Sequence, residues 1–414
     1  HPHEWKGPLR GSLSRFRVCL HQPMARIVFI GAGSTVFARN LMGDILSWPE
    51  LASSTIVLHD IDGTRLRTSE IVGRKIVDTL GVPATIEATT DRRRALAGAD
   101  YVITMFQVGG YRPSTVIDFE IPKKYGLQQT IADTLGIGGI MRGLRTVPVM
   151  LDMCRDMEQV AGDITFLNYV NPMSILCLAA SRASGIRTVG LCHSVQGTAH
   201  QLAGYLGVDD KRVGYHVAGI NHMAWFLDLT VDGQDAYPAL WEAMGNAAIY
   251  SKDKVRFEMM RRLGYFVTES SEHMAEYVPY FIKRDDLVRE FDIPIDEYVR
   301  RSEANLAEFD RTRAEVASGA PIEMKLSHEY AAYIIRAIEA NLDWSFNGNV
   351  PNSNDRRTAA LIPNLPADAI VEVPILTNRA GLQPCHAGEL PGGVAGLNRT
   401  HISVHQLAVE AALT

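Results

Sequence analysis

No apolar run in the sequence approaches the roughly 18 residues that a membrane helix needs, so a membrane is not an expected partner. No Cys-x-x-Cys pair occurs, and the five cysteines (Cys19, Cys154, Cys177, Cys192 and Cys385) are odd in number and widely spaced. A disulfide framework and a zinc ribbon are thereby excluded, and a reducing cytoplasm is the expected compartment. Basic residues are not in excess: 41 Lys+Arg against 47 Asp+Glu leaves a net charge of −6. Such a chain is a poor polyanion binder, so nucleic acid is not an expected partner. Internal repeats and low-complexity tracts are missing too. What is present is ordinary globular composition, 46% hydrophobic and 21% charged, too apolar for disorder at this charge. At about 150 residues per domain, 414 residues suggest two or three domains with ample core.

The two ends stand apart. Residues 1–23 carry Lys6, Arg10, Arg15 and Arg17 against one acid, Glu4, and lack the apolar segment of a secretory signal. Met24 is followed at once by a strand-like run, so Met24 is read as the native start and residues 1–23 as an upstream extension. A transit peptide is the alternative. At the other end an amphipathic helix (Val404, Leu407, Ala408, Ala411, Leu413) runs into Thr414 without a cap, which reads as a truncation.

Apolar, β-rich runs recur at 26–30, 55–59, 100–106, 163–168 and 186–191, with helical patterns between them. Uniformly apolar strands separated by helices predict an α/β fold with a Rossmann-type parallel sheet covered on both faces. The first strand enters Gly31-Ala32-Gly33-Ser34-Thr35, and a helix with Leu41, Ile45 and Leu46 on one face follows. Glycines there permit a tight turn and close approach of a pyrophosphate to the helix N-terminus. Val36 stands where a third glycine is usual. The second strand ends at Asp60, placed to bind adenosine ribose hydroxyls and to prefer NAD to NADP; Asp62 is the expected cap of the next helix.

The chemistry-bearing residues lie beyond later strand ends, where open α/β sheets bind ligands. Residues 107–139 form a long Gly-rich segment, from Gln107-Val-Gly-Gly to Asp133-Thr-Leu-Gly-Ile-Gly-Gly139, read as a functional loop. Its glycines lead into a helix bearing Arg142 and Arg145, a start suited to an anion or to sugar hydroxyls. Asn168 and Asn171 are either turn formers or polar hands for a ligand. Cys192 and His222, from separate elements, are candidates to share a divalent metal. Each also fits a structural place in a core.

Seven ordered motifs now stand together: Gly31-Ala-Gly-Ser34, Asp60-Ile-Asp62, Gln107-Val-Gly-Gly, Asp133-Thr-Leu-Gly-Ile-Gly-Gly139, Asn168-Tyr-Val-Asn-Pro172, Cys192-His-Ser-Val-Gln-Gly197 and Gly219-Ile-Asn-His222. Jointly they resemble the family 4 glycoside hydrolases, from Met24 to the end of the chain. The segment Leu263-Gly-Tyr-Phe-Val-Thr-Glu-Ser-Ser-Glu-His273 places the likeness nearest that family's bacterial α-galactosidases, the melibiases. The resemblance implies a lactate/malate dehydrogenase-like fold and a glycosidase that departs from the two-carboxylate scheme. It implies NAD and a divalent metal, usually Mn2+, with hydride removal at sugar C3, elimination across C2, addition of water and return of the hydride. A carbonyl beside C2, polarised by a metal, lowers the barrier to proton loss there by several kcal/mol.

Carried over residue by residue, the resemblance makes Cys192 and His222 the metal ligands and Asn171 a substrate contact, with Asp133 and Arg145 beside it. Gly31, Gly33, Ser34, Thr35, Asp60 and Gln107 are the expected NAD contacts. His193 stands where phospho-glycosidase relatives carry an acidic general acid, a role a histidine can fill near neutral pH. The base is sought among Tyr265, Glu269 and Glu272, with Tyr265 preferred; His273 and Tyr277 read as one helical face. The arginines that grip a sugar phosphate in some members are missing, since Gln107-Val108 and Ser114-Thr115 stand at their places. A neutral sugar is therefore favoured. An α-galacturonide, held through Arg112, Arg142 or Lys123, or an α-glucoside is the alternative. An NAD-dependent hydroxy-acid dehydrogenase shares the fold and is the second alternative. The expected organisation is a NAD-binding domain over 24–195 and a catalytic and oligomerisation α+β domain over 196–414, assembled as a homodimer or homotetramer. In the second half, helices are expected near 253–263, 295–316 and 327–341, strands near 224–232 and 369–376, and a turn-rich loop at 347–352.

Overall fold

The computed structural model describes residues 25–317, 326, 327, 329–353 and 359–414. The expected start at Met24, the extension before it and Cys19 lie outside the described residues. The first half builds six strands: β1 (Arg26–Ile30), β2 (Thr55–His59), β3 (Thr85–Thr89), β4 (Tyr101–Thr104), β5 (Thr165–Asn168) and β6 (Thr188–Gly190). They stand in the order β3-β2-β1-β4-β5-β6, and every neighbouring pair is parallel. This is the doubly wound dinucleotide-binding order, so the expected Rossmann-type sheet is present. Ile27, Val28 and Phe29 are fully buried because helices cover both faces. The edge strand β3 is not an apolar run: in its sequence TIEAT only Ile86 is buried.

Seven more strands follow among the described residues: β7 (Val213–Ile220), β8 (Met223–Val231), β9 (Gln234–Asp235), β10 (Phe266–Val267), β11 (Trp344–Pro351), β12 (Ile370–Asn378) and β13 (Gly381–Pro384). The sheet passes without a break from β6 into β11, β12, β7, β8 and β10, and these additions are antiparallel. The helices expected in this half appear as Lys254–Leu263, Glu297–Ala317 and Tyr330–Ala340. The C-terminal helix Gly392–Leu413 packs back onto the helices Gly136–Val160 and Met173–Ala183 of the first half.

Two expectations are corrected. The turn-rich loop at 347–352 is mostly the central strand β11. Its asparagines, poor strand formers, are held by bonds a strand residue rarely makes: Asn347 Nδ2 donates to Val217 O at 2.9 Å and Asn349 Nδ2 to Gly190 O at 3.4 Å. Gly348 is required there, because a Cβ would meet Ile375 Cδ1 at 2.8 Å. The segment 107–139 is not one long loop either. It holds an irregular turn, Gly110–Thr115, the helix Val116–Lys123 and the start of the helix at Gly136.

One buried ion pair anchors the antiparallel half. Asp253 and Arg256 are each 1% exposed, and Arg256 Nε donates to Asp253 Oδ1 at 2.7 Å. The same guanidinium holds Glu269 O, and Ser271 Oγ donates to Asp253 Oδ1 at 2.6 Å, so the pair shapes the segment after β10. Removing one member of such a pair strands a buried charge. Asp253→Ala should lower unfolding stability by about 3–5 kcal/mol, measured by urea denaturation; an unchanged midpoint would contradict the anchoring role.

Candidate active site

The nucleotide end is built by backbone. Gly31, at φ +90°, donates its N–H to His59 O at 2.9 Å, and a Cβ there would meet the Phe106 backbone at 2.8 Å. The glycine therefore lets β1 turn against the end of β4. Asp60 Oδ2 accepts the Gly33 N–H at 2.7 Å and Oδ1 accepts the Asp62 N–H at 2.9 Å. One carboxylate thus ties the end of β2 to the glycine turn. Asp62 caps the next helix through the N–H groups of Thr64 and Arg65, as its position predicts. Ser34 begins the helix Thr35–Leu46. The Thr35 hydroxyl is turned inward, 2.9 Å from Ser69 Oγ, and the Gln107 amide donates to Gly110 O at 3.2 Å and to the Thr115 hydroxyl.

Beyond the sheet centre the polar residues converge. Asn168 is structural: its Oδ1 accepts from Thr104 Oγ1 at 2.8 Å and its Nδ2 donates to Val170 O at 3.0 Å. Asn171 instead donates from Nδ2 to Asp133 Oδ2 at 2.8 Å, which leaves Asn171 Oδ1 and Asp133 Oδ1 buried without a partner. Buried polar oxygens are costly unless something meets them, so these two mark where a polar ligand sits. Arg142 lies beside them, its Nε donating to Asn171 O at 3.1 Å and its Nη1 to Tyr298 Oη at 3.0 Å. Arg145, expected to touch substrate, is spent on Asp118 through a two-pronged ion pair and on Val108 O.

His222 occupies a strained place. Ile220 pairs with Met223 across the β7–β8 hairpin, so Asn221 and His222 are its two turn residues. His222 has φ +63°, a position that usually takes glycine or asparagine. A non-glycine residue held in the left-handed region costs about 1–3 kcal/mol and marks functional sites. The turn places the ring near Cys192, two residues past the end of β6, and the two side chains shift each other's protonation. Burial raises the Cys192 thiol, but His222 and Ser194 outweigh it and leave it below its ordinary value. Burial lowers His222, yet the facing sulfur and Glu269 raise it to about 10. Glu269, at φ +73°, is raised by burial but held at about 2 by His222 and His273.

The remaining candidates divide. Tyr265, preferred as the base, is not brought to the site. It flanks β10, whose Phe266 pairs with Phe226, and packs on Tyr237 at 6.3 Å. From Tyr265 the chain runs along β8 toward the hairpin turn, Phe266 opposite Phe226 and Val267 opposite Trp225, so that Glu269 and not Tyr265 arrives beside His222. Glu272 is likewise engaged elsewhere, with Arg301. Glu269 does reach the cluster. His193 is half exposed, with Nε2 2.6 Å from Glu329 Oε2 and its ring stacked 5.7 Å from Tyr169.

Sequence reasoning missed His273, Glu276 and Tyr277 as site residues. The Tyr277 hydroxyl lies 2.8 Å from Thr134 Oγ1, and its ring meets the His273 ring edge-on at 5.0 Å. Burial pushes Tyr277 well above its ordinary value. Ligand atoms of Asp133, His222 and His273 lie within 4.8 Å of one another. The signal was their spacing: positions 273, 276 and 277 are i, i+3 and i+4 on the helix Ser271–Tyr277, hence one face. A face of that kind reads equally as packing until its partners are known.

Comparison with known proteins follows the same outline. The family profile described as family 4 glycosyl hydrolase matches residues 26–208, and that of the family 4 glycosyl hydrolase C-terminal domain matches residues 217–414. The chain is 47% identical over 394 residues to an α-galactosidase of Bacillus subtilis, covering 94% of this chain and 90% of that one. It is 37% identical to an α-galactosidase of Rhizobium meliloti, with 94% and 81% covered. Its fold superposes, at TM-score 0.77 and 21% identity, on a 6-phospho-α-glucosidase from gut microorganisms in complex with NAD and Mn2+, covering 94% of this chain and 90% of that chain.

The cysteines offer a direct check of this geometry. Burial pushes the Cys154 thiol to about 11 and Cys177 to about 12, whereas Cys192 is lowered and partly exposed and Cys385 is exposed. Only thiolates alkylate readily. Iodoacetamide at pH 7.5 should label Cys192 and Cys385 in the native protein, read by peptide mass spectrometry. Labelling of Cys154 or Cys177 ahead of Cys192 would contradict the arrangement.

Proposed function

Because the chain belongs to the family 4 glycosyl hydrolases, we propose that it is an α-galactosidase acting on terminal α-galactosides of small, melibiose-like sugars, with NAD and Mn2+ (or another divalent ion) as cofactors. One arrangement carries this reading. Cys192 and His222 face each other from two strand ends, beside the partnerless oxygens of Asp133 and Asn171. The α-galactosidase relatives support the sugar and linkage, and the gut-microorganism complex supports the cofactors. We further place the enzyme in the cytoplasm, where the free thiols of Cys154, Cys177, Cys192 and Cys385 stay reduced, and read it as a homodimer or homotetramer, with NAD bound by residues 24–195.

The residues fit both groups. The turn Gly31-Ala-Gly-Ser34 leads into the helix Thr35–Leu46, whose first-turn N–H groups suit a pyrophosphate, and Asp60 at the end of β2 stands where a ribose would lie. Cys192 and His222 offer sulfur and nitrogen; these are soft ligands for Mn2+, so sugar oxygens would complete the shell and affinity would be weak without substrate. When bound, the two groups supply a reversible hydride acceptor and a Lewis acid, which together make the sugar C2 proton removable.

The chain's own residues do the rest. Asn171, Asp133 and Arg142 bind and orient sugar hydroxyls. Tyr277, in place of Tyr265, would take the C2 proton at its phenolic oxygen, positioned by Thr134, once the charge of a bound cation offset the burial that raises it. His193 delivers a proton to the departing glycosidic oxygen from the half-open side of the site. A neutral sugar fits the cations. Lys123 is paired with Asp296 at 2.6 Å, Arg145 with Asp118, and Arg112 lies 3.7 Å from Glu303, so these three basic groups already face a carboxylate.

The test is a panel of p-nitrophenyl α- and β-galactosides, glucosides and galacturonides with NAD+, Mn2+ and reductant. The α-galactoside should be cleaved fastest, with no net NADH and with loss of activity after dialysis against EDTA. Net accumulation of NADH, or undiminished activity in EDTA, would overturn the reading in favour of a dehydrogenase or a metal-free hydrolase. Tyr277→Phe should lower kcat by about 10²–10⁴-fold, as expected for loss of a general base, while Tyr265→Phe stays near wild type. The reverse pattern would restore Tyr265.

A further inference from the structure

The side chains behind His222 form an ordered chain. Glu276 Oε1 lies 2.7 Å from His273 Nδ1, and His273 Nε2 lies 2.8 Å from His222 Nδ1. Glu276 is otherwise surrounded by donors. Its Oε1 also accepts the N–H groups of Ile131 at 3.0 Å and Ala132 at 2.8 Å, and its Oε2 that of Thr130 at 2.9 Å. A carboxylate met only by donors is an acceptor, so His273 Nδ1 must carry the hydrogen. His273 Nε2 is then a lone pair, with the Thr134 hydroxyl 3.1 Å away, and because two lone pairs would not face each other at 2.8 Å, His222 Nδ1 carries the hydrogen between the rings. That leaves His222 Nε2 as the nitrogen on the Cys192 side, the one from which a metal ion would displace a proton.

We propose that Glu276 and His273 are positioning residues that act through this two-step relay to fix the tautomer and ring direction of His222, so that Nε2 ligates the divalent ion. The inference rests on the metal reading above. It also changes the roles in the cluster of Asp133, His222 and His273: His273 lies behind the ligand and is not one itself. Hydrogen bonds to the far nitrogen of a ligating histidine orient it and raise its basicity, and losing them commonly costs 10–100-fold in metal affinity. Here the effect extends further. The same Glu276 holds residues 130–132, which lead into Asp133, so one carboxylate sets both the metal side and the sugar side of the site.

The discriminating pair of variants is His273→Leu and His273→Gln, made in the full chain. Leucine removes the acceptor, whereas glutamine keeps an amide oxygen near the Nε2 position. Mn2+ affinity is read without turnover, from the free-ion electron paramagnetic resonance signal in a titration. NAD binding and thermal midpoint serve as controls for folding. His273→Leu should bind Mn2+ about 10–100-fold more weakly, and His273→Gln should recover most of the loss. Equal affinity in His273→Leu and the unmodified protein would overturn the relay. So would equal weakening in both variants with NAD binding intact, since shape alone would then matter. If His273→Leu does not fold, Glu276→Gln carries the test: it removes the charge at constant shape, and its affinity should fall, while unchanged affinity overturns the proposal. Absence of Mn2+ binding by the unmodified protein would instead bring down the metal reading itself, and the relay with it.

Discussion

The site depends on one register point in the sheet. Asn349 of β11 lies opposite Gly190 of β6, and Glu372 of β12 lies opposite Gly219 of β7. Through these pairings the parallel sheet passes into the antiparallel one. They bring the end of β6, with Cys192 two residues on, to the end of β7, with His222 two residues on. Both crossing points are closely packed glycines, and Gly219 lies against backbone. A Cβ on Gly190 would meet Met173 Sδ at 2.4 Å, and one on Gly219 would meet Met223 O at 2.6 Å. A slip of one residue would turn each side chain to the opposite face and separate sulfur from imidazole. Near them Glu372 is fully buried, and burial with the nearby Cys192 pushes it well above the usual carboxylate range.

Strain and hydrogen bonds settle geometry that the sheet alone leaves free. His222 sits at positive φ at a hairpin turn, where an asparagine or glycine would be easier. The helix Ser271–Tyr277 then supplies support from one face, through His273, Glu276 and Tyr277. The buried pair Asp253–Arg256 holds the approach to this helix by binding Glu269 O and Ser271. Packing energy is thus converted into the direction of a few polar atoms, which a site of weak, soft ligands for a hard ion requires.

How much of this was legible in the sequence varied with its physical origin. Apolar periodicity and Gly31-Ala-Gly-Ser34 carry the parallel sheet, because core strands and glycine turns obey local rules. Cys192, His222, Asp133 and Asn171 were named from motifs, and the structure gathers them. Strand β11 was illegible, since its asparagines become strand residues only through bonds to Val217 and Gly190, 130 and 159 positions away. Arg145 looked like a substrate contact because its partner Asp118 is distant in sequence. Tyr265 and Tyr277 are both plausible proton acceptors by type. Their contacts separate them, since Tyr265 packs on Tyr237 while Tyr277 reaches Thr134 beside Asp133.

The account stands or falls on which atoms hold the metal. An anomalous difference map at the manganese edge, from crystals of the protein with Mn2+ and NAD+, measures this directly. The predicted result is one peak bonded to Cys192 Sγ and His222 Nε2, with His273 Nε2 still hydrogen-bonded to His222 Nδ1. A peak bonded to His273 Nε2 and Asp133, with Cys192 outside its coordination shell, would contradict it.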